Sequence, residues 1–228
     1  MLYVVATPIG NLGDITHRAV EVLKGADLIA CEDTRRTKVL CDRYGIRTPL
    51  TSYYSYNQKV KGERLLAALK EGRRVALVSD SGTPGISDPG AQLIRQALEA
   101  GIEVVSVPGP TALIAALSLS GLPTHRFLFE GFLPVKSGPR RRRLKALAAY
   151  AGTIVIYESP HRLLRALEDA LIVFGNRPLA VARELTKRFE EIWRGDVKTF
   201  LERSRSAAPR GEYVLVIGAP DDARRPCL

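Results

Sequence analysis

The sequence has few cysteines, and this shortage excludes two classes of protein. Only Cys31, Cys41 and Cys227 occur among the 228 residues. A scaffold held together by disulfides needs an even number of cysteines at a higher density. A structural zinc site needs Cys or His ligands at short, paired spacings. We therefore predict reduced thiols, no metal site and a cytosolic protein.

Long apolar runs and a leader segment are also missing. No stretch approaches the roughly 20 apolar residues of a membrane-spanning helix. The first residues, MLYVVATPIG, lack the basic start of a signal peptide and continue directly into a predicted strand and loop. We expect a cytoplasmic protein without membrane association, and 46% hydrophobic with 25% charged residues is typical of a globular one.

Acidic residues are scarce relative to basic ones in the second half. Residues 1–114 hold 14 basic and 12 acidic residues, a net of +2, whereas residues 115–228 hold 20 and 12, a net of +8. A basic half indicates a polyanionic partner such as nucleic acid. Solubility, or surface ion pairs that resist heat, would give the same composition.

Short apolar runs alternate with polar loops and amphipathic helices in the first half. Predicted strands cover residues 2–6, 28–31, 75–78 and 102–107. Such alternation predicts a mostly parallel sheet with helices on both faces. After residues 121–125 the pattern changes. Strands are predicted at 127–132, 153–157 and 179–182, followed by antiparallel strands at 188–194 and 211–217. The prediction is an α/β protein of two domains, residues 1–114 and 115–228, with a mixed second sheet.

Three loops follow predicted strands of the first domain, at residues 6–14, 79–88 and 108–112. Since the carboxyl ends of parallel strands meet at one edge, these loops together indicate a small-molecule cofactor site. The second loop has Asp80 and hydroxyls but no lysine, which suits a ribose, ammonium or sulfonium better than a pyrophosphate. Asp88-Pro89-Gly90 predicts the N-cap and first turn of a helix. A turn capped by its own Asp explains the loop equally well.

Charged residues directly after the second strand offer catalytic groups. Glu32 and Asp33 stand beside Arg35 and Arg36. Two carboxylates and two guanidiniums form a possible acid/base pair with phosphate-holding arginines. A helix N-cap at Asp33 with surface ion pairs is the simpler interpretation, and the spacing alone slightly favours it.

Aromatic and basic clusters suggest contacts to RNA. Aromatic rings stack on exposed bases and arginines hold phosphates. The candidates are the tyrosines 53, 54 and 56, and the run Arg140, Arg141, Arg142 and Arg143. Packing explains the tyrosines as well as stacking does. Four positive charges at a helix start oppose the helix dipole, which hints at a function for the arginines.

Six motifs occur in an order that resembles one family. They are ATPIGNLGDIT, CEDTRRT, VSDSGTPGISDPGA, PGPTA, YESPHRL and ARELTKRFEE. Together they span nearly the whole chain and resemble the bacterial ribosomal RNA cytidine-2′-O-methyltransferases of the tetrapyrrole methylase superfamily. The resemblance implies S-adenosylmethionine as cofactor, a cytidine ribose of 16S rRNA in the small ribosomal subunit as substrate, and a homodimer. It also implies two α/β domains with the cofactor cleft between them.

The expected reaction suggests roles for further residues. A ribose hydroxyl is a poor nucleophile, so a base and a cation near the developing alkoxide should help. Glu32 and Asp33 are the candidate bases, Lys187 is the candidate cation, and Arg35 and Arg36 are the candidate phosphate ligands. The resemblance itself implies the cofactor contacts. The positions expected to contact the cofactor are Pro8, Asp80, Gly82, Thr83, Thr111 and Ala112 in the loops, and Tyr157 and Ala182 in the second domain.

The sequence departs from the family in two places. Relatives have histidines and a glutamate where this chain reads SYYSYNQ, so no catalytic role falls on those positions and the tyrosines there are candidates for stacking on RNA. Many relatives also continue into a further C-terminal segment. Two alternatives stay open, namely methylation of a tetrapyrrole ring carbon and an RNA-binding module that has lost its cofactor.

Overall fold

The computed structural model describes residues 1–204 and 208–220, and the chain divides into two compact units, Met1–Thr111 and Ala112–Leu228. Each unit is built on one five-stranded sheet, which confirms the α/β class with two sheets. The domain bounds 1–114 and 115–228 stay a prediction. Cys31 and Cys41 are buried free thiols, and Cys227 lies outside the described residues. Across those residues, no helix has the length and apolar character to cross a membrane.

The first unit alternates strands and helices. Its sheet is entirely parallel, with the strand order β3-β2-β4-β1-β5. The strands are β1 (Leu2–Val5), β2 (Leu28–Cys31), β3 (Leu50–Ser52), β4 (Val75–Leu77) and β5 (Val104–Val107). The helices are α1 (His17–Gly25), α2 (Thr34–Tyr44), α3 (Gln58–Lys70) and α4 (Ala91–Glu99).

Helices cover both faces of this sheet because its strands are apolar on both sides. Side chains that alternate along a strand point to opposite faces, so Ile29 packs with α1 and α2 while its neighbour Ala30 packs with α3 and α4. All three residues of β4 are buried. The predicted parallel sheet with helices on both sides is therefore confirmed, and all five strands end at one edge.

The second unit has a mixed sheet in the order β6-β7-β10-β8-β9. Only β6 and β7 pair in parallel, and the other neighbours are antiparallel. Its strands are β6 (Phe127–Phe132), β7 (Thr153–Glu158), β8 (Pro178–Arg183), β9 (Glu191–Asp196) and β10 (Tyr213–Ile217). Its helices are α5 (Ala112–Leu119), α6 (Ser137–Leu147), α7 (Leu163–Phe174) and α8 (Val197–Arg203).

One face of the second sheet carries the main core. Helices α6, α7 and α8 cover it through buried side chains such as Leu144, Leu167 and Phe200. Helix α5 packs instead against β7 and β10. The predicted strand at 188–194 is shifted, because residues 184–190 form a turn in which Glu184 and Thr186 have φ of 48° and 65°, and β9 begins only at Glu191.

Candidate active site

The loops that follow β1 and β4 are joined by a two-way backbone bridge. Thr7 N donates to the Gly82 carbonyl at 2.9 Å, and Gly82 N donates to the Thr7 carbonyl at 3.0 Å. The Thr7 hydroxyl also donates to the Ser79 carbonyl at 3.0 Å. Gly82 has φ of 83°, a left-handed conformation that favours glycine. The bridge holds the two loops in one fixed arrangement.

The loop after β5 lies against the other two. The Thr83 hydroxyl donates to the Pro110 carbonyl at 3.3 Å. A Cβ on Gly109 would lie 3.1 Å from the Cβ of Ala6, so only glycine allows this approach without displacing a neighbour. The structure thus brings together the three loops that the sequence singled out, and with them Pro8, Asp80, Gly82, Thr83 and Thr111.

Asp80 connects these loops to the charged turn after β2. Its Oδ1 accepts a hydrogen bond from Asp33 N at 2.9 Å, and its Oδ2 lies 3.4 Å from Arg36 Nη1. The Asp80 side chain is 19% exposed. A half-buried carboxylate at the end of β4 therefore anchors the start of α2, and the two candidate motifs of the first unit form one cluster.

Asp33 is occupied by local contacts. It caps α2 by accepting from Arg35 N at 2.8 Å, and its Oδ2 lies 2.7 Å from Arg35 Nη2. These hydrogen bonds lower its pKa to about 2, so the carboxylate binds protons weakly. The N-cap interpretation describes Asp33 in this structure, and a base role for it stays a prediction.

Glu32 lies in the opposite electrostatic environment. Burial raises its pKa, and the negative charge of Asp80 and then of Asp33 raises it further, against the opposing charge of Arg36. A carboxylate with a raised pKa is a better proton acceptor near neutral pH. Of the two candidate bases, Glu32 has the more suitable environment.

The sequence predicts a helix N-cap at Asp88, and the structure has the cap at another residue. Helix α4 begins at Ala91, and its N-cap is Gly90 with φ of 136° and no side-chain cap, so the predicted cap at Asp88 is wrong. The helix therefore begins without a side-chain cap, and the Asp88 carboxylate does not cap its first turn. Burial, followed by the charge of Glu32, raises the Asp88 pKa to about 7, and a hydrogen bond from Ser79 opposes this shift.

The position of Asp88 in the sequence offers one signal that could have identified it as a carboxylate with a raised pKa. Asp80 and Asp88 are the two carboxylates of the loop at residues 79–88, and Glu32 follows another predicted strand of the same sheet. Crowding of carboxylates in a half-buried loop raises the pKa of at least one of them. The sequence did not reveal which one, since that depends on how the loop folds back.

Lys187 lies in the turn between β8 and β9 of the second unit. Its Nζ is 3.0 Å from Glu184 Oε1 and 2.8 Å from Glu212 Oε2. Burial lowers its pKa, but the hydrogen bonds that its ammonium group donates to Glu212 and Glu184, together with the charges of these carboxylates, outweigh burial, and the net shift is upward. The ammonium group is charged and already paired with two carboxylates.

The four arginines at the start of α6 have different environments. Arg140 is buried with its side chain 4% exposed, and its Nη2 lies 2.6 Å from Asp169 Oδ2. Arg141 pairs with the same carboxylate and Arg143 with Glu130, although both guanidiniums remain about half exposed. Arg142 is exposed and forms no ion pair with another described residue. Arg140 therefore holds α6 onto α7.

The remaining candidates lie on several elements. Tyr157 OH accepts from Leu113 N at 3.1 Å, and its ring contacts Phe129 at a centroid distance of 4.9 Å. Ala182 is buried within β8. Of the candidate stacking residues, Tyr53 is a core residue whereas Tyr56 is 97% exposed.

The geometry described so far agrees with the comparison with known families. Residues 1–201 match the family model of Tetrapyrrole (Corrin/Porphyrin) Methylases. Because this match covers most of the chain, the chain belongs to that family and is a methyltransferase. The resemblance recognised from the six motifs is confirmed.

Two individual relatives and one crystal structure show what this chain is similar to within the family. Ribosomal RNA small subunit methyltransferase I of Synechocystis sp. is 52% identical over 227 residues, which cover 99% of this chain and 81% of that protein. The protein of the same name from Escherichia coli O157:H7 is 52% identical over 219 residues, which cover 95% and 77%. The crystal structure of uroporphyrin-III-C-methyltransferase from Thermus thermophilus has a TM-score of 0.65 at 25% identity, covering 95% of this chain and 93% of that one.

Proposed function

We propose that this protein transfers a methyl group from S-adenosylmethionine to the 2′-oxygen of a cytidine ribose in 16S rRNA of the small ribosomal subunit. The observation that carries the proposal is the 52% identity over nearly the whole chain to relatives named ribosomal RNA small subunit methyltransferase I. On this proposal the protein works in the cytoplasm, where ribosomal subunits are assembled, and as a homodimer.

The chemistry of the loops fits this cofactor. A Cβ on Gly82 would meet Ile9 Cγ2 at 3.5 Å and the Pro110 carbonyl at 3.7 Å, so the space above Gly82 is bounded by the other two loops. The donors and acceptors around it are backbone groups, hydroxyls and the Asp80 carboxylate, without a lysine. When bound, S-adenosylmethionine supplies a methyl group on a positively charged sulfur.

The proposed cofactor contacts of the first unit are Pro8, Asp80, Gly82, Thr83 and Thr111. Asp80 uses one oxygen for Asp33 N and the other for Arg36, and each carboxylate oxygen has a second lone pair for a ligand donor. Ala112, Tyr157 and Ala182 belong to the second unit, and their contacts to the cofactor stay a prediction, as does the cleft between the domains.

We assign the proton acceptor to Glu32, with Asp88 as its electrostatic neighbour. A ribose hydroxyl is a weak nucleophile, so its attack is aided by a group that takes the proton as the new bond forms. Glu32 and Asp88 both have raised pKa values, and the charge of Glu32 contributes to the shift at Asp88. A proton received by Glu32 relieves this repulsion.

Lys187 remains a proposed cation, although its two carboxylate partners favour a role in holding the turn around Glu184. Phosphate contacts are better supported for Arg35 and Arg36, whose side chains are 89% and 69% exposed. Phosphate contacts are also supported for the exposed residues Arg141, Arg142 and Arg143. Arg140 is not accessible to a phosphate, because it is buried in its pair with Asp169.

The deciding experiment is methyl transfer from labelled S-adenosylmethionine to small subunits isolated from cells that lack this gene, followed by nucleoside analysis. The expected product is 2′-O-methylcytidine. The control incubates the same enzyme with subunits from cells that keep the gene, whose site is already methylated. Methylation of a base instead of a ribose would refute the proposal.

A second candidate function is methylation of a tetrapyrrole ring carbon. The observation that favours it is the structural similarity to uroporphyrin-III-C-methyltransferase. The 52% identity to relatives named ribosomal RNA small subunit methyltransferase I weighs against it. Transfer to a porphyrinogen together with no transfer to subunits or naked RNA would favour this candidate.

A further inference from the structure

The second unit contains a cavity that the proposed chemistry does not use. Its volume is about 710 Å³, within the range of small-molecule pockets. It lies between the edge strand β9, the end of α8 and residues 208–210. Its walls include Arg183, Trp193, Phe200, Arg203, Arg210 and Tyr213.

Several residues that line the cavity belong to the sheet, and we call them its floor. The register of the strands puts all of them on one face of the sheet. Val181 is paired with Trp193, and Arg183 is paired with both Glu191 and Tyr213. Because strand side chains alternate with a period of two, these residues point to the same side. Ala182 points to the other side, so the cavity is distinct from the predicted cofactor contact in β8.

The Trp193 ring is held in place before any ligand binds. It packs edge-on against Phe200 with the ring centroids 5.0 Å apart. A Cβ on Gly195 would lie 2.5 Å from Trp193 Cη2, so the indole occupies the space above a residue that has to be glycine. The ring is half-buried and therefore offers a preformed apolar surface to the cavity.

The rim of the cavity is basic. Arg183 Nη1 lies 3.6 Å from Glu191 Oε2, and Arg203 Nη2 lies 3.3 Å from Glu191 Oε1. Arg210 adds a third guanidinium, so three cations face one carboxylate among the described lining residues. Arg183 Nε also donates to the Arg210 carbonyl at 2.8 Å. The Arg203–Glu191 pair is exposed, and exposed ion pairs are weak, so a phosphate can compete with Glu191 for these guanidiniums.

We propose that this cavity holds one unstacked nucleotide of the RNA substrate, with its base on Trp193 and its phosphate on Arg183, Arg203 and Arg210. The inference rests on the proposed function, which makes RNA the substrate. Proteins recognise single-stranded RNA by stacking bases on aromatic rings and holding phosphates with arginines. A nucleotide would use both parts of the cavity. An inorganic anion would contact only the arginines of the rim, and an apolar ligand would contact only the floor.

The test uses the fluorescence of the full chain, because Trp193 is its only tryptophan. A single-stranded RNA oligonucleotide that carries the substrate cytidine should quench the emission over the same concentrations that saturate the anisotropy of a labelled copy. Trp193→Phe should weaken RNA binding about tenfold, since a smaller ring stacks less well. Arg203→Ala should reduce the slope of log affinity against log salt by about one.

Arg95→Ala is the matched control for Arg203→Ala. Arg95 is 71% exposed and pairs with Glu99, while Arg203 is 62% exposed and pairs with Glu191. The control should keep the wild-type salt slope. Equal slopes in the two variants, or RNA binding that leaves the emission unchanged, would overturn the proposed pocket.

Methyl transfer measured on the same preparation separates the two proposals. If the wild type methylates 16S rRNA while the Trp193 emission does not respond to RNA, the pocket is refuted and the proposed function stands. If the wild type neither binds RNA nor methylates it, both the nucleotide pocket and the proposed function are refuted. Quenching by a ribosomal protein and not by RNA would also refute the nucleotide pocket.

Discussion

Glu32 and Asp33 are adjacent in the chain, yet their surroundings push their pKa values in opposite directions. Asp33 receives hydrogen bonds from Arg35 and the start of α2, which stabilise its charge. Glu32 is partly buried near Asp80, which destabilises its charge. Both residues are carboxylates, so their chemical identity does not show which one is the base. The environment of each carboxylate distinguishes them.

We expect Glu32→Gln to lower the rate of methyl transfer by about a hundredfold or more, the usual loss when a general base is removed. Asp33→Asn should retain activity within about tenfold, since Asn also caps helices. Single-turnover rates at saturating cofactor measure both. Equal losses in the two variants would contradict the assignment, and unchanged cofactor affinity verifies that the pocket is intact.

Asp88 provides a pH test. Its pKa is about 7 in the folded state against the ordinary 3.8 of an Asp carboxyl, because of burial and the charges of Glu32 and Asp80, opposed by a hydrogen bond from Ser79. Between these two values the folded state binds more protons than the unfolded state. The contribution of Asp88 to the free energy of unfolding therefore falls as pH rises from about 4 to about 7 and stays constant above.

Asp88→Asn should remove this titration. Urea unfolding of the wild type and the variant, measured at about pH 5 and about pH 8, gives the comparison. The variant should gain stability relative to the wild type at the higher pH. A stability difference that does not change with pH would mean that Asp88 is not perturbed as described.

At the scale of elements, the site depends on loops that hold one another. Strand β4 ends in a turn that must pass Thr7 closely, and Gly82 makes this possible with φ of 83°. Gly72, in the turn after α3, has the same φ of 83° with open space around it. The two glycines share a backbone conformation and differ in what surrounds them.

Gly82→Ala and Gly72→Ala should each cost about 1 kcal/mol or slightly more of stability, because both force an L-residue into the left-handed region. Only Gly82→Ala should weaken S-adenosylmethionine binding. Calorimetric titration of the two variants at equal folded fraction measures this. Equal cofactor affinities would argue against a cofactor site at the Thr7–Gly82 bridge.

The start of α6 shows how an element can bury a charge. Arg140 and Asp169 join α6 to α7 with both side chains 4% exposed. Asp169→Asn leaves the guanidinium buried without a carboxylate and should cost about 3 kcal/mol of unfolding free energy. Asp42→Asn, which breaks the exposed pair with Lys38, should change stability very little. Chemical denaturation that gave equal losses would contradict this contrast.

At the scale of the whole molecule, charge is distributed unevenly. The net of +8 in residues 115–228 predicts that RNA binding releases many counterions. RNA affinity should fall about a hundredfold or more as salt rises from roughly 50 to 200 mM. Filter binding over this range measures the slope. An affinity that is independent of salt would mean that the arginines do not contact phosphates.

Much of the architecture was accessible from the sequence. Short apolar runs broken by glycine-rich loops encode a parallel sheet locally, because each strand and turn needs only its own few residues. The same local logic located the three loops of the site and the contrast between the two sheets. The start of β9 was not accessible, since it depends on the turn at Glu184 and Thr186.

The sequence by itself determined the two α/β sheets, the family and the positions of the candidate loops, because hydrophobic periodicity and turn residues act over short distances. Only the tertiary structure decided that the charge of Glu32 acts on Asp88, and that Arg140 is buried while Arg142 is exposed. The reason is that a pKa and a fractional exposure depend on neighbours that are distant in the chain. Asp80 and Asp33 illustrate this, since 47 positions separate two residues that share a hydrogen bond.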